Sequence, residues 1–126
     1  MLIALIAILS KSPQKNNPNI ISKKGIHWHP ELVIYVNGEP QEIPQNIGLG
    51  QAHNPVHTHE DLPIIHLEFN DLVRKDDIKL NQFFKSWEKD INSFGVLKEM
   101  KVNGVGNTEF GEYMMQDGDK IELWYE

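Results

Sequence analysis

Residues 26–38 read Ile26-His27-Trp28-His29-Pro30-Glu31-Leu32-Val33-Ile34-Tyr35-Val36-Asn37-Gly38. On an extended chain, Ile26, Trp28, Leu32, Ile34 and Val36 fall on one side, and His27, His29, Glu31, Val33 and Tyr35 on the other. The alternation predicts a strand over 26–36 with one apolar face. Pro30 cannot donate to a ladder, so the early part belongs at an edge or a bulge. Asn37-Gly38 tolerates two successive positive φ angles, the requirement of a type I′ hairpin turn, and 39–43 returns as a second strand.

The pattern continues downstream. Residues 45–55 carry Gly48, Gly50 and Pro55 and read as a loop. Over 62–69 the period of two reappears, with Ile65, Leu67 and Phe69 on one face and Ile64, His66 and Glu68 on the other. Leu80, Phe83, Phe84, Trp87 and Ile91 change the period to 3.6 and predict an amphipathic helix, with Gly95 as its stop. Its aromatic residues read as core. Val96–Val102 and Lys120–Tyr125 predict two closing strands, with turns at Asn103-Gly104 and Asp117-Gly118-Asp119. The expected fold class is α+β: a small mixed β-sheet with one packed amphipathic helix and a β-grasp-like (ubiquitin-like) C-terminal part. That analogy concerns fold and carries no function.

Ahead of this single domain, 26–126, the chain is of another kind. Residues 1–9 are uninterruptedly apolar and, as a helix, would span roughly 14 Å, about half a bilayer core. No basic region precedes them and no clear cleavage site follows. They read as the remnant of a membrane anchor. Residues 10–25 hold two prolines and four lysines without an acid, and read as a flexible tether.

The whole chain has 126 residues and a formal charge of −6, which makes nucleic acid an unsuitable partner. It has no cysteine, which excludes disulfides, thiolate zinc sites, iron–sulfur clusters and a cysteine nucleophile. Six histidines remain, and five of them are paired. His27-Trp28-His29 and His57-Thr58-His59 are His-x-His pairs, and His66-Leu67-Glu68 is a His-x-Glu pair. On a strand, residues i and i+2 share a face, so each pair aims two donors at one place.

Imidazole and carboxylate together suit zinc, copper(II), nickel or non-haem iron. His27, His29, His57, His59, His66 and Glu68 are therefore the candidate metal ligands, on the face opposite the apolar core. They are too many for one tetrahedral ion: a subset binds, two ions lie close together, or some members orient the others. His53 is the weakest candidate. Glu60 and Asp61 follow His59 and offer carboxylates that could hold a ligand histidine. Met100, Met114 and Met115 read as core rather than as copper(I) ligands.

Five motifs in order, Gly25-Ile-His-Trp-His-Pro-Glu-Leu32, Asn37-Gly-Glu-Pro40 with Ile43-Pro-Gln-Asn-Ile-Gly-Leu49, His57-Thr-His-Glu60, Ile64-Ile-His-Leu-Glu68 and Leu80-Asn-Gln-Phe-Phe-Lys-Ser-Trp87, cover about half the chain. They resemble a largely uncharacterised family of small histidine-rich domains of archaea and bacteria that follow an N-terminal membrane anchor. The resemblance implies a membrane-tethered, extracytoplasmic domain whose histidines are its functional residues. It implies no activity.

Two functions compete. The first is an extracytoplasmic transition-metal-binding module, for zinc or copper, that captures or passes on the ion. The second is a small metalloenzyme, in which three histidines leave an open position for an ionisable water and Glu68, Glu60 or Glu31 acts as base. A hydrolase, a lyase or a cupin-like oxygenase would fit that description. A metal-free interaction module is a third, weaker reading, and no sequence feature identifies a protein partner. The chain ends Trp-Tyr-Glu, not Gly-Gly, so ubiquitin-like conjugation is not indicated. Walker, dinucleotide-binding, nucleophile-elbow and His-Glu-x-x-His motifs are all missing.

Overall fold

The computed structural model describes residues 17–126. The apolar stretch 1–9 and residues 10–16 lie outside the described residues. In chain order the elements are β1 (Ile20–Ser22), β2 (Ile26–Trp28), β3 (Glu31–Val36), β4 (Glu39–Gln41), β5 (Val56–His57), β6 (His66–Phe69), β7 (Val73–Arg74), α1 (Leu80–Trp87), β8 (Leu97–Val102), β9 (Val105–Asn107) and β10 (Lys120–Tyr125). The fold is α+β, as the sequence predicts.

Five strands form the frame, in the order β4-β3-β10-β8-β9. β3 and β10 run parallel at its centre, in register from Glu31 opposite Lys120 to Val36 opposite Tyr125. An antiparallel hairpin flanks each side, β3–β4 and β8–β9. Both hairpins turn on Asn-Gly: φ is 51° and 81° at Asn37 and Gly38, and 54° and 81° at Asn103 and Gly104. Two hairpins around a central parallel pair, with the helix between them in sequence, give the β-grasp order. Leu80, Phe83 and Phe84 of α1 are buried in one core with Leu32, Ile34, Met100, Met115, Ile121 and Leu123. The methionines at 100 and 115 are thus core residues, and Met114 is partly buried against the core.

Three expectations need correction. The strand predicted over 26–36 is two strands in different sheets. Pro30 marks the break: its carbonyl accepts from the Ile65 amide at 2.7 Å, while the His29 amide leaves the ladder to donate to Asp117 Oδ1 at 2.8 Å. The helix ends at Trp87, four residues short of Ile91. Glu88 adopts a left-handed conformation (φ 60°, ψ 36°), and the amides of Glu88 and Lys89 donate to Lys85 and Phe84 carbonyls. Ile91–Phe94 is a separate 3-10 turn. Finally, the predicted tether enters the fold before Gly25. β1 pairs antiparallel with β7, and Ile21 packs against the core.

The remaining strands form a three-stranded antiparallel sheet, β2-β6-β5. It comes from the chain before the grasp-like frame and from the connection between β4 and α1. This small sheet carries the histidines.

Candidate metal centre

β6 is the middle strand and sets the geometry. Along β2, His27 lies opposite Glu68 and Trp28 opposite Leu67. Along β5, Val56 lies opposite Leu67 and His57 opposite His66. Val56 and Leu67 are buried in the core, and Trp28 packs against it. Alternation then turns His27, His57, His66 and Glu68 to the other face. His29 and His59 follow two residues later on the same parity. All six predicted ligands are brought to one face.

They form two groups that share His66. In one, His57, His59, His66 and Glu68 offer donor atoms within 4.8 Å of one another; in the other, His27, His29 and His66 do. The Glu68 carboxylate is the hub. Its Oε1 lies 2.9 Å from His57 Nε2, 3.9 Å from His59 Nε2 and 3.7 Å from His66 Nδ1. Its Oε2 lies 3.8 Å from His27 Nε2. Burial raises the carboxyl's pKa, but the His57 hydrogen bond and the neighbouring imidazoles outweigh this and hold it below its ordinary 4.5.

The surroundings fix the tautomers. His57 Nδ1 lies 2.8 Å from the Asn54 carbonyl, which can only accept. Nδ1 therefore carries the hydrogen, and the 2.9 Å hydrogen bond to Glu68 needs a second hydrogen on Nε2, at the place an ion would take. His66 Nε2 lies 2.9 and 3.0 Å from the two Asp61 oxygens, so it is the donor there. His66 Nδ1 is buried and has no hydrogen-bond partner. This is the carboxylate–histidine arrangement that orients a metal ligand, with Asp61 in the supporting role. The hydrogen bond from His66 is the main reason the Asp61 carboxyl sits below its usual 3.8.

His57 and His66 are only 6% and 8% exposed, although they lie on the face opposite the apolar core. Their rings are stacked, with centroids 5.5 Å and planes 1° apart, and the loop before β5 meets His57 through the Asn54 carbonyl. Thr58 is the residue that holds that loop, and sequence reading missed it. Its fully buried hydroxyl donates to the Pro44 carbonyl at 2.9 Å and accepts from the Ile47 amide at 3.0 Å. A hydroxyl between two ligand histidines gives no periodic signal. Gly48 belongs to the same contact: its φ is +78°, and a Cβ there would lie 2.8 Å from the Val56 carbonyl oxygen. His53 is exposed on this loop and belongs to neither donor group.

The donor set fits a first-row transition ion. Zinc takes nitrogen at about 2.0–2.1 Å and carboxylate oxygen at about 2.0–2.2 Å, which puts tetrahedral ligands about 3.3–3.5 Å apart. The separations of 2.9, 3.7 and 3.9 Å around Glu68 Oε1 bracket that spacing. No family model matches the chain, and neither does any curated protein or solved structure. The assignment rests on the geometry.

Asp61→Asn tests the orienting role. The variant keeps the size of the side chain but removes its charge. It is expected to weaken zinc binding about 10–100-fold, measured by competition with a chromophoric chelator. Unchanged affinity would show that Asp61 is only a surface neighbour of His66.

Proposed function

We propose that this chain is a transition-metal-binding module that holds zinc or copper(II) through His57, His59, His66 and Glu68. One observation carries the reading. His57 Nε2 and Glu68 Oε1 stand 2.9 Å apart, at hydrogen-bonding distance, so the hydrogen between them occupies the place of an ion. A metal cation that displaces this proton would bind both atoms, and the unpartnered Nδ1 of His66 lies 3.7 Å from the same oxygen. Four protein donors complete a tetrahedron, the arrangement that retains an ion rather than one that keeps a position open for catalysis.

The biological setting follows from the sequence: an apolar N-terminus, a basic tether and the resemblance to histidine-rich anchored domains. In this reading the module is membrane-attached and works on the extracytoplasmic side. Among the described residues no helix is long and apolar enough to cross a membrane. In this reading attachment comes from the uninterruptedly apolar residues 1–9.

A second reading has its own observation. A cleft of about 390 Å³, lined by His53, Asn54, Asp71 and Leu72, reaches His57 and Glu68. A small polar substrate placed there would meet a metal-bound water if Glu68 acted as base instead of ligand. The hydrolase or lyase version uses this cleft. The cupin-like version calls for a jelly roll, which the five-stranded mixed sheet is not.

Titration of zinc and copper(II) into chelator-treated, untagged protein, followed by thermal unfolding and elemental analysis, tests the binding reading. Retention of at least one ion per chain with a raised transition is expected. An unchanged transition with both ions would refute it.

A further inference from the structure

We propose that His27 and His29 form the outer half of a two-ion centre, bridged to the inner half by the two oxygens of Glu68. This rests on the metal-binding reading above and adds a second, exchangeable position to it.

His27 and His29 are left over once the inner four donors are assigned. Their rings lie 4.8 Å apart, and their donor atoms come within 4.8 Å of each other and of a His66 nitrogen. Register, not chance proximity, puts them there: His27 is the cross-strand partner of Glu68. The His29 backbone amide donates to the Asp117 carboxylate at 2.8 Å, which fixes the chain at that point. Among the described residues neither imidazole has a hydrogen-bond partner, so both keep a lone pair for an ion.

His66 cannot serve both ions. Its Nε2 is committed to Asp61, which leaves Nδ1 as a single donor. Glu68 can serve both, because Oε1 faces the inner imidazoles and Oε2 faces His27. A carboxylate shared in this way holds two ions about 3.5–4 Å apart.

The halves differ in exposure. In the inner set the His57 and His66 side chains are 7% and 10% exposed and His59 44%, against 64% for His27 in the outer one. The outer ion has only two histidines and one carboxylate oxygen from the protein, so water or an incoming donor completes its shell. The outer position is where an ion arrives and departs, and the inner one is where it is kept.

The test uses the full chain, untagged, in mild detergent after chelator treatment. Zinc is added in equilibrium dialysis with elemental analysis, and copper(II) is followed by electron paramagnetic resonance. Two zinc ions per chain are expected, the second bound at least 10-fold more weakly. The second copper equivalent should lower the integrated copper signal per ion, because close copper(II) ions couple. His27→Ala/His29→Ala should bind one ion, with first-step affinity changed less than about 3-fold. Saturation of the parent at one ion overturns the outer site and leaves the metal-binding reading standing. Binding of none overturns both. Two uncoupled copper ions, or a second ion retained by the double variant, also overturn the shared centre.

Discussion

Replacing His57 and His59 together with alanine is expected to abolish tight metal binding, while His53→Ala leaves it nearly unchanged. The first variant removes two of the three nitrogens around Glu68 Oε1. Of the inner set only Glu68 and His66 remain, and the His27–His29 position that survives beside them is the weaker one. The energetic readout is large because an ion held there would join β5 to β6 across a loop. Binding to the folded state alone stabilises by about 2.7 kcal/mol at a free ion concentration 100 times the dissociation constant. At roughly 4 °C per kcal/mol for a domain of this size, that raises the transition by about 10 °C. The double variant should lose the whole increment. If it binds zinc as tightly as the parent, the inner site is misassigned.

The same centre sets the sign of the pH dependence. Protons and metal compete for the imidazole lone pairs, so the metal-induced stabilisation is present above the ordinary imidazole range and lost as pH falls below about 6.5. Glu68 acts in the same direction at lower pH. Its folded-state pKa lies below 4.5, so its contribution is present above that value and lost as pH falls through the folded-state pKa. Holoprotein melting should therefore converge on the metal-free curve in acid. A metal increment that persists undiminished at pH 4 would exclude histidine ligation.

Much of this was legible in the sequence, because period-two alternation and the Asn-Gly turns act locally. The pairs at 27/29, 57/59 and 66/68 had to share faces, and the two hairpins had to turn at Asn37-Gly38 and Asn103-Gly104. What was illegible depends on long-range partners. Pro30 signals a break, but only the Ile65 and Asp117 contacts determine that β2 and β3 enter different sheets. Thr58 and Asn54 look like ordinary loop residues until Pro44, Ile47 and the His57 ring are placed around them. Ile20 and Ile21 sit in a lysine- and proline-rich segment, and their strand exists only because β7 offers an edge. Trp87 and Ile91 keep the helical period, yet Glu88 ends the helix between them.

That early stop decides which aromatic residue matters most for stability. Phe83 is fully buried and Phe84 nearly so, whereas Trp87 is half-buried at the end of α1, tilted against Phe94 and covered by Lys89. Truncating a buried ring removes its transfer free energy and leaves a cavity that the core fills only in part. Phe83→Ala is expected to cost about 3–5 kcal/mol, a fall of roughly 12–20 °C in the transition. Trp87→Ala should cost less, because its outer edge already meets water and Phe94 can move into the space. The core also links this helix to the site: α1 packs on β5, where buried Val56 precedes His57. Phe83→Ala should therefore weaken metal binding only as far as it unfolds the chain. At low temperature, with the variant folded, the number of bound ions should equal the parent's. Equal losses for Phe83→Ala and Trp87→Ala would mean that the helix buries its full stripe and that the stop at Glu88 is misplaced. An unaltered transition in Phe83→Ala would remove α1 from the core and with it the grasp-like frame on which the histidine sheet stands.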